Sequence, residues 1–188
     1  MEELKSIIKN VVKIPDTNLE YVLSHFQSRS LSKDDFFLKE GKVCSEIAFV
    51  HTGMLRLFYH DDEGEQISCY FASNNQFITS NASFNSGTIT KENIQAVIPT
   101  QLSVISKTNF EKLNKEVPGF QELERNSKNA LGEFMESRVA MLQIKSAQER
   151  YRYMVENQGK LIQNVPLQYL ASYLGISPQH LSRIRKKK

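Results

Sequence analysis

The strongest constraint on this 188-residue chain lies in residues 165–188, VPLQYLASYLGISPQHLSRIRKKK. Leu167, Leu170, Ala171 and Leu174 recur at i, i+3, i+4 and i+7, one apolar stripe of a short helix that starts near Pro166, a residue suited to a first helical position. Gly175 stops that helix, Ile176 plugs the turn, and Ser177-Pro178 starts a second helix with serine as N-cap and proline at the first helical position. Two short helices joined by such a turn read as a helix-turn-helix.

At about 100° per residue, Leu181 and Ile184 of the second helix point toward the first, while Gln179, Ser182, Arg183 and Lys186 cluster on the opposite face. Arginine bonds guanine bidentately and glutamine bonds adenine in the major groove, whereas the basic tail of Arg185, Lys186, Lys187 and Lys188 gains phosphate affinity regardless of sequence. The candidate DNA-contacting set is therefore Ser177, Gln179, His180, Ser182, Arg183, Arg185, Lys186 and Lys187. The competing interpretation is a terminal helical hairpin with a solvated face.

Charge is divided in the same place. Residues 142–188 carry nine Lys/Arg against two Glu, net +7, and residues 1–141 carry net −4. A basic end on an otherwise acidic chain suits one module that touches nucleic acid and another that does something else. Cys44 and Cys69, 25 residues apart, make no cluster spacing, so no cysteine-held zinc or iron-sulfur site is expected and both thiols are expected free. Residues 2–13 are interrupted by Glu3, Lys5 and Lys9, and no window is an uninterrupted apolar span; a cytoplasmic protein without a membrane partner is expected.

Residues 2–12 and 17–26 read as two short helices, with stripes Leu4, Ile7, Ile8, Val11 and Leu19, Val22, Leu23, Phe26, the second capped by Asp16 or Thr17. From 31 to 105 the pattern becomes short strand-like runs, 36–38, 47–50, 54–59, 67–71, 94–98 and 102–105. Turns are expected at Lys39-Glu40-Gly41, His51-Thr52-Gly53 and Asp61-Asp62-Glu63-Gly64. Many short strands predict an antiparallel barrel or sandwich. Residues 74–93 are polar, anchored by Phe77, Ile78 and Phe84, and read as a loop that either holds a ligand or covers the surface.

Helical periodicity returns after Phe110. Following Pro118 a seven-residue repeat places Phe120, Ser127, Phe134 and Met141 at one seam position and Leu123, Ala130, Ser137 and Ile144 at the other. A helix over 120–144 spans roughly 35 Å, enough to join a sensor to a reading head. Its stripe is either a dimer seam or the face that packs on the helix's own barrel. A further helix over 146–157 leads through Gly159 and Leu161-Ile162 into Val165-Pro166.

Taken in this order the chain resembles the cyclic-AMP receptor protein / FNR (Crp/Fnr) family of bacterial transcription regulators over essentially its full length. Residues 49–57 (FVHTGMLRL) and Ile94-Gln95-Ala96 are similar to the family's barrel pattern, and residues 168–185 (QYLASYLGISPQHLSRIR) to its reading head. The resemblance implies an α+β fold: a cyclic-nucleotide-binding-like antiparallel β-barrel (double-stranded β-helix) with flanking helices over 1–117, a dimerisation helix over 118–146, and a helix-turn-helix over 147–188. It implies a homodimer on double-stranded DNA, with RNA polymerase as a further partner. It places Gln179 and Arg183 at base-touching positions, with Pro178 where some members carry a base-reading arginine. The chain stops at Lys188, so the usual β-hairpin wing is expected to be missing or reduced, with Arg185 to Lys188 in its place.

The ligand positions depart from the family. Where its nucleotide-binding members hold ribose with Gly-Glu and phosphate with Arg-Ser or Arg-Thr, this chain has Thr79-Ser80 and Thr90-Lys91, and the purine-contacting hydroxyls align with Met135 and Glu136. A serine is a poor replacement for a carboxylate, and a lysine one position away is a flexible point charge instead of a planar fork. Thr79, Ser80, Thr90, Lys91, Met135 and Glu136 thus mark a degenerate pocket in which cyclic AMP is not expected, no cofactor is implied, and another metabolite or a vestigial pocket is left. A cupin-type enzyme would need converging histidines, yet His25, His51, His60 and His180 include no His-x-His pair, and no catalytic constellation or phosphate-binding Gly-rich loop occurs. The remaining alternative is a ligand-sensing or adaptor protein that applies its C-terminal helices to a protein partner.

Overall fold

The structure, a computed structural model, describes residues 1–11 and 15–186; Lys187 and Lys188, and the capping side chains expected of Asp16 and Thr17, lie outside the described residues. Two helices open the chain, α1 (Glu2–Val11) and α2 (Asp16–Ser24). Leu4, Ile8, Leu19, Val22, Leu23 and Phe26 are buried in the main core, as their helical spacing requires.

Six strands follow: β1 (Gln27–Leu31), β2 (Phe36–Leu38), β3 (Glu46–His60), β4 (Gln66–Ser73), β5 (Gln76–Ile78) and β6 (Asn93–Ser106), with the short helix α3 (Asn81–Ser86) between β5 and β6. All pairings are antiparallel. The long strands β3 and β6 form the spine in the order β1-β6-β3-β4, while β2 pairs with one end of β6 and β5 with one end of β3. No pairing among the described residues joins β4 back to β1, so the sheet is an open, sandwich-like roll and not the closed barrel expected. β4 pairs along β3 on one side only, which leaves its other edge free.

Two expected turns and gaps proved to be interior strand. His51-Thr52-Gly53 lies within β3, where the register against β6 shifts at Val50/Thr52, Thr52/Met54 and Met54/Leu55. Likewise the runs at 94–98 and 102–105 are one strand through Pro99. Both halves of β3 bond the same neighbour, so a bulge absorbs the polar residues that read as a turn. Gly53 is its pivot: φ is +104°, and a Cβ there would stand 2.4 Å from Thr100 Oγ1 and 2.6 Å from Pro99 O and Thr100 Cα. The Met54 amide donates to Thr100 Oγ1 (3.0 Å), which donates to the Ile98 carbonyl (2.7 Å), pinning the bulge. The turns at Gly41 (φ +81°) and Gly64 (φ +83°) stand as expected. Strand β1 and helix α3 lie in polar stretches, and β5 is only three residues long, too short to show a period.

The second half is helical: α4 (Lys107–Glu116), α5 (Phe120–Ile144), α6 (Ala147–Asn157), α7 (Gly159–Asn164), α8 (Leu167–Leu174) and α9 (Pro178–Lys186). Ser146 caps α6 in a capping box with Glu149, whose carboxyl is held below its ordinary pKa by that hydroxyl and amide. None of the described helices is long and apolar enough to cross a membrane.

Two cores result. The larger joins α1, α2, the sheet, α4 and the start of α5; the smaller joins Met54, Phe71 and Val97 of the sheet to Met154, Leu161, Val165, Leu170, Ala171, Tyr173, Leu174 and Leu181. Each such side chain contributes about 1.5–3 kcal/mol on burial. The C-terminal helices therefore share their core with the sheet.

Gly53→Ala should lower stability by about 3 kcal/mol, because it adds left-handed strain to a collision with backbone. Gly41→Ala, also at positive φ but with open space around it, should cost about 1 kcal/mol. Urea midpoints of the two variants measure the difference.

Candidate nucleic-acid interface

Pro178 begins α9, and Ser177 caps it: the His180 amide donates to Ser177 Oγ (3.2 Å) and the Leu181 amide to the Ser177 carbonyl (3.0 Å). The Ser177 hydroxyl is thus engaged in the cap. Gly175 at φ +66° ends α8 in a Schellman arrangement, with Ile176 N bonded to Ala171 O (3.1 Å) and Gly175 N to Ser172 O (3.0 Å). Pro166 falls one position earlier than expected; its ψ of 145° is extended, so it is the N-cap and Leu167 opens the helix.

Leu181 is fully buried and Ile184 half-buried against α8, as their spacing predicts, and this orientation exposes Gln179, His180, Arg183, Arg185 and Lys186, with Ser182 half-buried at the margin. The donors thus share an outward surface at the basic end of the chain.

The side of α8 away from α9 was not anticipated. Besides the stripe toward α9, it turns Tyr169, Ser172 and Tyr173 onto the sheet. The free edge of β4 meets Ser172: the Ser68 amide donates to Ser172 Oγ (2.6 Å), which donates to the Gln66 carbonyl (3.0 Å). An exposed strand edge is a hazard, and a helix that covers it with a matching hydroxyl removes it. The Tyr173 ring meets Phe71 edge-on at 5.2 Å.

Beside this seam lies Arg56 of β3, 0% exposed. Its guanidinium is sandwiched between Tyr169 (3.4 Å) and Phe58 (3.9 Å) and donates to Gln66 Oε1 (2.5 Å), Gln95 Oε1 (3.3 Å) and Ser68 Oγ (3.4 Å). No carboxylate pairs with it among the described residues. Burial pulls its pKa down to about 10, which still leaves it charged at neutral pH, so ring faces and amide oxygens do the solvating.

Two further arginines hold the other end of α8. Arg138 of α5 stacks on Tyr173 (3.9 Å) and donates to the Tyr173 carbonyl. Arg150 of α6, 9% exposed, donates to Leu174 O (2.9 Å) and to Lys145 O (2.6 Å), so it closes the C-terminal ends of α8 and α5 together. Cations at these carbonyls also complement the helix dipoles. The sequence signal for all this was that LQYLASYL is apolar on nearly every side, the mark of a helix buried on two faces.

The degenerate pocket is only partly assembled. Ser80 and Thr90 are buried and their hydroxyls bond each other (3.1 Å), while Thr90 Oγ1 also accepts from the Glu92 amide (2.9 Å). Thr79 Oγ1 donates to the Glu46 carbonyl (2.9 Å). Lys91, Met135 and Glu136 are exposed and do not join them.

The expected dimer seam is divided between the protomer's interior and its surface. Phe120 (0%) and Leu123 (5%) are consumed by the protomer's own core, and Phe134 packs edge-on against Tyr70 (5.1 Å), so these three face inward. Met141 is half-buried, and Ser127, Ala130, Ser137 and Ile144 are exposed. The exposed large apolar residues of α5 are Met135 (43%), Val139 (52%), Leu142 (41%) and, from the expected seam, Ile144 (80%), beside half-buried Leu131. Spacings alone cannot separate these faces, because both are apolar. Among the described residues no three His, Cys, Asp or Glu side chains gather to hold a metal ion.

Residues 28–116 match the family model described as the cyclic nucleotide-binding domain. No curated protein sequence matches the chain. Among solved structures, the c-di-GMP-responsive global regulator CLP of Xanthomonas campestris is similar, with 15% identity over 92% of this chain and 91% of that one and a TM-score of 0.74. FixK2 of Bradyrhizobium japonicum shares 19% identity over 86% and 83%, with a TM-score of 0.71. The catabolite activator protein of Thermus thermophilus shares 19% over 92% and 83%, at 0.57. The chain shares its fold with these three regulators over most of its length. At such identities the likeness is one of architecture, so the roles of individual side chains rest on the geometry above.

A double-mutant cycle with Arg56→Met and Tyr169→Leu should give a coupling of about 1–2 kcal/mol in chemical denaturation. Strictly additive effects would remove the arginine from the account of how α8 is held.

Proposed function

We propose that this chain is a non-enzymatic, homodimeric DNA-binding transcription regulator whose sheet domain does not hold cyclic AMP in the usual way. The observation that carries this reading is the outward presentation of Gln179, Arg183 and Lys186 on α9 while Leu181 is fully buried beneath them. A helix anchored in this way and lined with donors fits the major groove, where two copies spaced by about 34 Å would read successive turns. The basic end supplies phosphate affinity.

The doubt about cyclic AMP is supported by the Ser80–Thr90 pair. Its hydroxyls satisfy one another, and the neighbouring cation, Lys91, is exposed, so a cyclic phosphate would find neither a fork nor a carboxylate for its ribose. Self-association is assigned to the exposed face of α5 around Met135, Val139, Leu142 and Ile144, which shares Ile144 with the seam read from sequence. The 25-residue length of α5 gives this stripe three turns or more to pair along.

The test is selection of duplexes from a random pool by the purified protein without added small molecules, followed by anisotropy titrations at two salt concentrations. Arg183→Ala should weaken the selected duplex by about 1–3 kcal/mol and relax its sequence preference. Lys186→Ala should weaken all duplexes alike and lower the salt slope by about one, and Leu142→Glu should yield monomers in sedimentation. Failure to enrich any sequence, with salt-independent residual binding, would move the reading to a protein partner for α9.

A further inference from the structure

The four histidines of the chain have unlike settings. His25 Nδ1 lies 2.9 Å from the Tyr21 carbonyl, His51 Nε2 2.7 Å from the Ser103 hydroxyl and His60 Nδ1 2.9 Å from a Glu40 carboxylate oxygen, so each of these rings is engaged within the protein. The ring of His180 has no hydrogen-bond partner among the described residues. Only its amide is used, donating to Ser177 Oγ (3.2 Å), and that bond fixes His180 in the first turn of α9 with the imidazole exposed.

Its place on the helix gives this ring a use. At about 100° per residue His180 and Arg185 fall on opposite flanks of α9, with Gln179, Arg183 and Lys186 between them on the outer side and Leu181 and Ile184 beneath. A helix in the major groove turns its outer side to base edges and its flanks to the phosphates of the two strands. Imidazole is the side chain whose ordinary charge change falls between about pH 5 and 8, and the protonated ring gains a second N–H donor together with the charge.

Among the described residues none offers this ring what a phosphate would. Its charged neighbours on α9 are all cations, Arg183 one turn on, then Arg185 and Lys186. The element packed against α9 is α8, which carries no Asp, Glu, Lys, Arg or His, and its Tyr169 and Tyr173 are stacked on Arg56 and Arg138. The two carboxylates of residues 142–188, Glu149 and Glu156, belong to α6, where Glu149 is held by the Ser146 cap.

We infer that His180 is a proton-dependent phosphate contact: docking of the duplex brings one proton from solvent onto the imidazole, which then donates to a phosphate oxygen of the strand on its flank. The bound state holds more protons than the free state, so affinity rises as pH falls, and at low pH one more phosphate is neutralised. This contact rests on the regulator reading and makes DNA affinity respond to pH through a single side chain.

Anisotropy titrations of the full chain with a duplex selected from the random pool, at about pH 6 and about pH 8 and at two salt concentrations for each, test the contact. The protein should bind about fivefold to tenfold tighter at the lower pH, with a salt slope steeper by about 0.9. His180→Gln, which keeps a donor but cannot take the proton, should abolish both differences, while His180→Lys should hold the steeper slope at both pH values. His60→Gln, which breaks the pair with Glu40 on β3, should leave the pH dependence as it is, so that a pH effect on the sheet does not imitate the contact. Affinity independent of pH, or a pH dependence that survives in His180→Gln, would overturn the contact while selective binding keeps the regulator reading in place. Absence of selective binding at either pH would overturn both.

Discussion

The contact on which the rest depends is the docking of α8 against the free edge of β4. A strand that pairs on one side only leaves N–H and C=O groups facing outward, and Ser172 takes one of each, with Tyr173 and Tyr169 covering the apolar surface alongside. The open sheet makes this possible: a closed barrel would have no such edge. Arg56 then has to be buried beneath Tyr169 with no acid beside it. Its desolvation is offset by two ring faces and three neutral oxygens, a weaker arrangement than a salt bridge but one that leaves no carboxylate stranded if the contact opens.

From this contact follows the presentation of α9. The helix needs a rigid support for its inward side chains, and α8 supplies it only because α8 is itself held on three sides, by β4, by Arg138 of α5 and by Arg150 of α6. Leu181 completes the smaller core, which takes Met54, Phe71 and Val97 from the sheet. Motion of the sheet relative to α8 is therefore felt by the same residues that support α9.

Much of this was legible from the sequence where apolar spacing is regular. The stripes of α1, α2 and α5, the glycine stop at Gly175 and the Ser177-Pro178 start all follow from period and cap chemistry, and the structure places them within a residue or two. The polar strand β1 and the three-residue strand β5 carry no such period. His51-Thr52-Gly53 has the composition of a turn, and only the partner strand β6, distant in sequence, makes it a bulge. The inward burial of Phe120 and Leu123 and the role of Arg56 were illegible for the same reason: a heptad does not state which of two apolar faces meets its own chain, and a lone arginine in a strand does not state what covers it. The apolar excess of α8, by contrast, is visible in LQYLASYL itself.

The most direct measurement of the central claim is native-state hydrogen exchange of the amides of β4 and α8. If the sheet and the reading unit share one core, Ser68 and residues 170–174 will open together, with protection of the same order as β3 and β6, and Tyr173→Ala will lower both sets in step. Exchange of α8 orders of magnitude faster than β4, with the sheet left fully protected, would show a reading unit that folds and moves on its own and would contradict the account.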